Sequence, residues 1–261
     1  MTKYREISKA EVLTDIQNFK KVPGKRQIIF KGIGANDPIG DYLHYDPKLD
    51  IRPSIVAKTH GNSYNMLLNN LPSWILLPLR ERSIIATTDV ETAASFAAKG
   101  KFGKTFVLLT ELDSPFVVSP TADIWYSFGK CIKELALPEE IGSLKQFNVC
   151  LGELAVGLGL ANDFDNTWDT FWDGIIKISR NKMVGGAKLS KPARNLHKTL
   201  YSHSNHLLGF LDRIFSPDFN DFKLLTYSEV CESKLHKDNE VWTSSNCLFV
   251  EVSEYIKAVE S

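Results

Sequence analysis

Two stretches of this sequence decide the fold: Arg82-Ser-Ile-Ile-Ala-Thr-Thr-Asp-Val-Glu-Thr-Ala-Ala-Ser-Phe96 and, about 150 residues later, Asp238-Asn-Glu-Val-Trp-Thr-Ser-Ser-Asn-Cys-Leu-Phe-Val-Glu-Val252. In the first, the apolar run Ser83 to Thr87 predicts a strand, and the spacing of apolar residues over Val90 to Lys99 predicts an amphipathic helix. The second opens on a polar turn and ends in the apolar run Cys247 to Val252, which predicts a further strand.

Patterns in the rest of the chain extend this alternation of strand and helix. Helical spacing covers residues 9 to 21 and 62 to 71, and strand-like runs cover 26 to 31, 105 to 112, 116 to 119 and 222 to 226. Long helical patterns fill residues 121 to 217. Because the β-rich parts lie on both sides of this helical block, we expect one α+β domain over residues 1 to 261 with a large helical insertion at 121 to 217.

Composition excludes several functional classes. The sequence of 261 residues has 31 Lys and Arg against 31 Asp and Glu, so it is not a globally basic nucleic-acid binder, although a local basic patch stays open. Its four cysteines lack Cys-x-x-Cys spacing, which predicts a reducing compartment and no zinc site. The segment Met1 to Ile7 lacks the apolar stretch of a secretory signal, and no apolar run approaches the roughly 20 residues that span a bilayer. We therefore expect a cytoplasmic protein without a membrane partner.

The two quoted stretches resemble two signatures of the ADP-ribosyltransferase superfamily, in its Arg, Ser-Thr-Ser and Glu-x-Glu branch. Thr87 and Thr88 stand where that branch has Ser-Thr-Ser at the end of a strand, before a helix with an Ala-x-x-Phe face. Asp238-Asn-Glu240 resembles the Glu-x-Glu turn that leads into the last core strand. The resemblance covers roughly residues 26 to 119 and 222 to 252. It implies a split β-sandwich core and NAD as co-substrate.

Glu240 matches the catalytic glutamate of this family. Breaking the bond between nicotinamide and ribose generates an oxocarbenium-like centre, which a nearby carboxylate stabilises. The resemblance implies that role for Glu240, a bracing role for Thr87, and orientation of the acceptor by Asp238, which is one methylene shorter than the family's Glu or Gln. The residues alone allow another interpretation, in which Asp238 to Glu240 is a plain polar turn. Likewise, Thr88 or Asp89 is a suitable cap for the following helix.

The third family signature is an aromatic-Arg-Gly motif whose cation holds the NAD phosphates. Its best counterpart here is Phe30-Lys31-Gly32, where lysine supplies the charge without the planar fork of a guanidinium. The resemblance thus implies cofactor-binding roles for Lys31, Gly32, Thr88 and Arg82. Other basic residues are alternative sources of the missing cation. Arg26 and Arg80 would supply a guanidinium, and His60, whose spacing to Thr87 is less suitable, would supply an imidazole.

Charge is segregated within the helical block. Acidic residues at 163, 165, 169 and 173 precede the segment Lys177 to Lys198, which contains several cations and no acidic residue. Such a run is typical of a solvated face. The alternative is a surface that contacts nucleic-acid phosphates or a partner protein, with Gly185-Gly186 allowing movement.

Two further groups of residues in the helical block have both a structural and a functional interpretation. The aromatic cluster Trp125 to Phe128 either packs in a core or stacks on nicotinamide or an acceptor base. His197, His203 and His206 could place two imidazoles one helical turn apart, but without a nearby cysteine or a clear third ligand we expect no metal.

The sequence therefore predicts a mono-ADP-ribosyltransferase that cleaves NAD and transfers ADP-ribose to a protein, RNA or DNA acceptor. Members of this kind are often bacterial or phage toxins or effectors, so an antitoxin or a host target is the partner expected by analogy. One alternative is an NAD glycohydrolase, in which water replaces the acceptor. Another is a non-catalytic interaction protein on the same scaffold that uses residues 177 to 198, which the lysine at the usual arginine position favours.

Overall fold

The structure is a computed structural model that describes residues 4–20, 27–46, 63–138, 143–160, 167–182, 189–235 and 238–260. The chain divides into two compact units. The first comprises Met1–Ile51, Arg82–Ala122 and Lys223–Ser261, and the second comprises Arg52–Glu81 and Asp123–Phe222. The single domain over residues 1 to 261, with its insertion at 121 to 217, stays a prediction.

The described strands form one antiparallel sheet in the first unit. They are β1 Arg5–Glu6, β2 Phe30–Ile33, β3 Tyr42–Tyr45, β4 Ile84–Thr87, β5 Lys104–Leu109, β6 Pro115–Val118, β7 Lys223–Thr226, β8 Glu240–Thr243 and β9 Cys247–Glu251. Their order across the sheet is β1-β3-β9-β5-β2-β4-β8-β6-β7, and each neighbouring pair is antiparallel. The expectation of a mixed helix and strand fold is confirmed at this level.

The pairing of β2 with β4 is the shortest in the centre of the sheet. Phe30 and Thr87 are the only residues paired there, whereas β2 pairs with β5 over four residues and β4 pairs with β8 over four. The described sheet is therefore joined at its centre through one residue pair, which we call the seam.

The described helices are α1 Lys9–Lys20, α2 Ser63–Asn70, α3 Val90–Ala97, α4 Gly129–Glu134, α5 Ser143–Gly157, α6 Trp168–Arg180, α7 Lys191–Ser202, α8 Leu207–Phe215, α9 Tyr227–Glu232 and α10 Val252–Glu260. Those of the first unit are α1, α3, α9 and α10, and the remainder belong to the second unit. Within the described residues, none of these helices combines the length and the apolar character needed to cross a membrane.

The core of the first unit is built from the central strands, in which buried residues are consecutive: Phe106 to Leu109 of β5 and all of β8 are buried. Phe106 and Phe249 are fully buried and meet edge to face, with ring centroids 6.3 Å apart. Tyr227 of α9 is also buried, and its hydroxyl donates to the carbonyl oxygen of Leu108 at 2.9 Å. A buried tyrosine needs such a partner because an unsatisfied hydroxyl in an apolar core is costly.

Helix α3 lies very close to strand β2, and a glycine makes this approach possible. A Cβ atom at Gly32 would overlap the main-chain carbonyl of Ala93 on α3. Gly103, just before β5, has the same relationship to the carbonyl of Ala97. Only hydrogen fits at these two positions, so the glycine of the Phe30-Lys31-Gly32 motif has a packing role that requires no ligand.

The second unit packs its helices around aromatic side chains. Phe128 is fully buried, and its ring lies 5.6 Å from that of Phe215 and 5.3 Å from that of Phe222, measured between centroids. The indole of Trp74 donates to the carbonyl oxygen of Phe215 at 2.8 Å. Core packing, one of the two interpretations of the cluster Trp125 to Phe128, is thus confirmed for Phe128.

Most of the predicted elements are present with shifted ends. The predicted strand at residues 26 to 31 was placed too early, since β2 begins at Phe30, although Arg26 itself lies outside the described residues. Three strands were not predicted as separate elements: β1 at Arg5–Glu6, β3 at Tyr42–Tyr45 and β8 at Glu240–Thr243. The four cysteines are buried, and none forms a disulfide within the described residues.

Candidate functional site

Thr87 and Glu240 are direct neighbours across two strands. Thr87 ends β4, Glu240 begins β8, and the two residues are opposite each other in the antiparallel register. Residues paired in this way project their side chains to the same face of the sheet. Both residues are buried, and Glu240 is only 7% exposed. The pairing therefore brings a hydroxyl and a carboxylate together on one face, next to the seam.

The main chain of Glu240 is held on its far side by the segment that follows β6. Its N–H donates to the carbonyl oxygen of Thr121 at 3.0 Å, and its carbonyl oxygen accepts from the N–H of Ser119 at 2.8 Å. Glu240 is thus fixed between β4 on one side and residues 119 to 121 on the other. The main chain that carries this carboxylate is therefore held on both sides, as a preorganised site requires.

Asn239 connects the same three segments, and nothing in the sequence patterns singled it out. Its N–H donates to Thr88 Oγ1 at 2.9 Å, and its carbonyl oxygen accepts from the N–H of Thr88 at 3.1 Å. Its side-chain amide donates to the carbonyl oxygen of Ser119 at 2.6 Å. Asn239 is 4% exposed, and its Oδ1 has no hydrogen-bond partner among the described residues. The middle residue of the Asp-x-Glu turn is therefore the centre of a hydrogen-bond network.

Asp238 occupies a left-handed backbone conformation with a φ of 75°. Few residues other than glycine, asparagine and aspartate adopt this region readily, because a larger side chain clashes with its own carbonyl. The residue is partly exposed. The chain turns at Asp238, whereas Glu240 already belongs to β8, so the plain-turn interpretation of Asp238 to Glu240 stays untested as an alternative to a catalytic role.

The hydroxyls of the Thr87-Thr88 pair have separate partners. Thr87 Oγ1 accepts from the N–H of Asp89 at 3.2 Å, and Thr88 Oγ1 accepts from Asn239. Asp89 is the N-cap of α3, because its carboxylate accepts from the N–H and the hydroxyl of Thr92, each at 2.8 Å. The capping interpretation is therefore confirmed for Asp89, while Thr88 braces the turn before Glu240.

Lys31 lies beside the seam but follows the residue that is paired there. Phe30 is opposite Thr87, and Lys31 is opposite Phe106 of β5. Since side chains alternate along a strand, Phe30 and Lys31 project from opposite faces of β2. The ammonium of Lys31 donates to the carbonyl oxygen of Ile85 on β4 at 2.7 Å. Lys31 therefore ties β2 to β4 just beyond the seam.

Arg82 is the other cation to which the resemblance assigns cofactor binding. It precedes β4, whereas Thr87 ends that strand, so about 16 Å of chain separates them at roughly 3.3 Å per residue. Arg80 lies two residues before Arg82, in the short 3₁₀ helix Arg80–Arg82. Arg26 and His60 lie outside the described residues.

No metal cluster or reactive thiol adds to this site. Among the described residues, no group of three His, Cys, Asp or Glu side chains is arranged to hold a metal ion. His203 and His206 form only a pair, with Nδ1 and Nε2 3.0 Å apart. Burial raises the pKa values of the Cys131 and Cys150 thiols, so neither is a ready nucleophile.

Comparison of the chain with known protein families, curated proteins and solved structures finds no match. The resemblance to ADP-ribosyltransferases therefore stays a prediction that rests on the chain's own residues.

Proposed function

We propose that this protein is a mono-ADP-ribosyltransferase that uses NAD as co-substrate and Glu240 as its catalytic carboxylate. One observation carries the proposal. The three fragments on which the resemblance depends lie on adjacent strands, β2, β4 and β8, and Thr87 is paired with both Phe30 and Glu240. If the three fragments resembled the family signatures only by chance, there would be no reason to expect them on neighbouring strands.

The burial of Glu240 suits the chemistry of NAD cleavage. When the bond between nicotinamide and ribose breaks, nicotinamide leaves with the electron pair and the ribose carbon becomes electron-poor. A carboxylate held in a poorly solvated place stabilises that positive charge more strongly than one in water. The main-chain bonds of Glu240 to Ser119 and Thr121 supply the fixed position. The acceptor then attacks the ribose carbon, and Asp238, two residues before Glu240, is the residue proposed to orient it.

The seam supports the finer fold assignment. We propose that the sheet parts between the strands that carry the aromatic-Arg-Gly-like and the Ser-Thr-Ser-like fragments. Here those strands are β2 and β4, which share only the pair Phe30 and Thr87. We therefore propose the split β-sandwich core as the architecture of the first unit, with the seam as the division.

One observation favours a second candidate, a non-catalytic interaction protein on this scaffold. Lys31 should hold the NAD phosphates, yet its ammonium donates to the Ile85 carbonyl. An ammonium has three donors, so this bond leaves capacity for a phosphate but directs the group toward β4. An NAD glycohydrolase, in which water takes the place of the acceptor, shares the same site and differs only in its product.

The test is incubation of the purified chain with labelled NAD and a cell lysate, followed by separate protease and nuclease digestion. Glu240→Gln keeps the size of the side chain and removes its charge, and we expect label transfer to fall about 10²- to 10³-fold, the effect typical of losing one transition-state stabiliser. Glu111→Gln is the matched control, because Glu111 is an exposed carboxylate of the same unit.

Each outcome identifies one candidate. Label that depends on Glu240 supports the transferase, and the digestion that removes it names the acceptor class. Consumption of NAD without label indicates the glycohydrolase. Absence of both, with a folded protein, overturns the enzymatic proposal and favours the interaction protein.

A further inference from the structure

Helices α6 and α7 of the second unit carry exposed cations along their outer faces. We define this surface, the basic face, by residues Lys177, Arg180, Lys182, Lys191, Arg194 and Lys198, all of which are exposed. On α7 the three cations recur at intervals of three and four residues, so they lie on one side of the helix. Cations therefore predominate on this surface, with Asp173 one turn before Lys177 and Glu153 beside Ser190 at its margins, although the whole chain has a formal net charge of zero.

A direct contact makes the two halves of this surface continuous. Nε2 of His197, in the middle of α7, lies 2.9 Å from the carbonyl oxygen of Asn181, which caps the C-terminus of α6. His197 precedes Lys198, and Asn181 lies between Arg180 and Lys182. The cations at the end of α6 therefore lie beside those of α7.

Two of these cations are at an electrostatically unfavourable end of their helix. Lys191 is the first residue of α7 and Arg194 is in its first turn, where no acidic residue is present. Helix N-termini carry partial positive charge, so a cation there is unfavourable for the helix itself. One carboxylate of the chain already lies at this end, since Glu153 accepts from the N–H of the N-cap Ser190 at 3.0 Å. Lys191 and Arg194 extend outward from the same end as exposed cations.

Several of these cations also lack a carboxylate partner within the described part of the chain. No ion pair within 4.0 Å joins Arg180, Lys191 or Lys198 to a described acidic side chain. Other cations of the same unit do have one: Lys130 lies 2.7 Å from Asp221, and Arg213 lies 3.3 Å from Glu134. The charges of these three cations, Arg180, Lys191 and Lys198, are therefore not neutralised by a described carboxylate.

A cavity of about 420 Å³ opens beside these cations, lined by Leu158, Leu160, Ile176, Lys177, Arg180 and Asn181. Its lining combines three aliphatic side chains with an ammonium and a guanidinium. Its volume falls within the range that holds small molecules, roughly 300–1,000 Å³. A lining of apolar side chains and two cations fits a ligand that is flat and apolar at one end and anionic at the other, as a nucleotide is.

Tyr201 adds an aromatic surface to the same side of α7. It follows Lys198 by three residues, and its side chain is 38% exposed. Its ring stacks on the imidazole of His197, with centroids 6.3 Å apart. Alternating cations and aromatic rings bind single strands, because phosphates contact the cations while unpaired bases stack on the rings. A duplex keeps its bases stacked inside, and so uses only the cations.

We propose that the basic face and its cavity bind single-stranded nucleic acid. The inference goes beyond the proposed NAD chemistry and does not depend on it, because binding needs no NAD. If both proposals hold, nucleic acid becomes the acceptor class.

The test is fluorescence anisotropy with labelled single-stranded RNA, single-stranded DNA and duplex of roughly 16 nucleotides, a length that covers one binding site. The full chain is titrated without NAD at about 50 mM and about 200 mM salt. The variant Arg180→Glu/Lys198→Glu should lose more than tenfold in affinity for single strands. The slope of log affinity against log salt should fall by about 1.4, since each lost phosphate contact on a single strand contributes about 0.7.

The matched control is Lys145→Glu/Lys234→Glu, which changes the net charge equally at two exposed lysines outside the basic face. It should retain affinity within about twofold, because charges far from the ligand are screened. Tyr201→Leu should weaken single-strand binding at least fivefold and leave duplex binding unchanged.

Three results would overturn the proposal. They are absence of binding at the lower salt concentration, an equal loss in both charge variants, and duplex binding as tight as that of single strands. Since none of these assays contains NAD, a failure here is distinct from a failure of the Glu240 test.

Discussion

Asn239 and Thr88 hydrogen-bond each other twice. The N–H of Asn239 donates to Thr88 Oγ1 at 2.9 Å, and the N–H of Thr88 donates to the carbonyl oxygen of Asn239 at 3.1 Å. Because Thr87 and Glu240 are the adjacent residues, this closed pair fixes the point where β4 ends and β8 begins. The position of the proposed catalytic carboxylate thus depends on a threonine whose hydroxyl faces the turn.

Thr88→Val should destabilise the protein by about 1–3 kcal/mol, because it keeps the shape of the side chain and leaves the buried N–H of Asn239 without its acceptor. Asn239→Ala should cost less, about 1 kcal/mol, since it removes one hydrogen bond together with an Oδ1 that has no partner among the described residues. Urea unfolding of the two variants measures both values. The opposite order of the two losses would contradict the network described for Asn239.

Gly32→Ala should destabilise by about 3 kcal/mol or more, because the added methyl group overlaps the Ala93 carbonyl and forces β2 and α3 apart. Gly209→Ala is the matched control: Gly209 lies inside α8, where nothing is within 4 Å of an added Cβ. Alanine is the better helix former, so that variant should gain up to about 1 kcal/mol. The shift of the thermal midpoint, down for the first and up for the second, checks the pair.

Asp238→Gly should leave the free energy of unfolding nearly unchanged, whereas Asp238→Val should lower it by about 1–2 kcal/mol. The difference follows from the φ of 75° at this position, which glycine adopts freely and a β-branched residue does not. Denaturant titration of both variants measures it. Equal stability of the two variants would contradict a left-handed conformation at Asp238.

The stability contributed by Glu254 should depend on pH on the acidic side. Its carboxylate accepts hydrogen bonds from Lys257 at 2.6 Å and from Tyr42 at 2.8 Å, and chiefly these two bonds lower its pKa from 4.5 to about 2. The folded pKa lies below the unfolded one, so the contribution is complete above the unfolded value and is lost as pH falls from 4.5 toward about 2.

The measurement is the unfolding free energy of the wild type and of Glu254→Gln at a series of pH values. The difference between the two should stay constant above about pH 5 and shrink below it. A wild-type advantage that persists undiminished at pH 2 would contradict the assignment.

Local patterns predicted the elements that have strong local signals. The apolar run before Thr87 gave β4, and the Asp89 cap with the apolar spacing of α3 gave that helix. Strand β3 at Tyr42–Tyr45 was missed because it is only four residues long and its pairing partners, β1 and β9, are distant in sequence. Such a strand exists through tertiary pairing, which a local pattern does not contain.

The candidate site likewise contains residues that the sequence predicted and residues that it did not. The resemblance named Glu240 and Thr87 as functional partners, and the register pairs them directly. It did not name Asn239 or Ser119, because their bonds are set by main-chain geometry at the junction of three strands. Nor could the sequence show that Phe30, rather than Lys31, is opposite Thr87, since a shift of one residue in register reverses every side chain.

The seam also determines where this protein is most exposed to aggregation. Edge strands attract other chains because their N–H and C=O groups are unpaired, and a sheet ordinarily has this weakness at its outermost strands. Here β2 and β4 share one main-chain pair, Phe30 with Thr87, and a side-chain bond from Lys31 to the Ile85 carbonyl. Loss of both connections would create two new edges in the middle of the sheet. The proposed active site would then be the place where a second chain adds its strand.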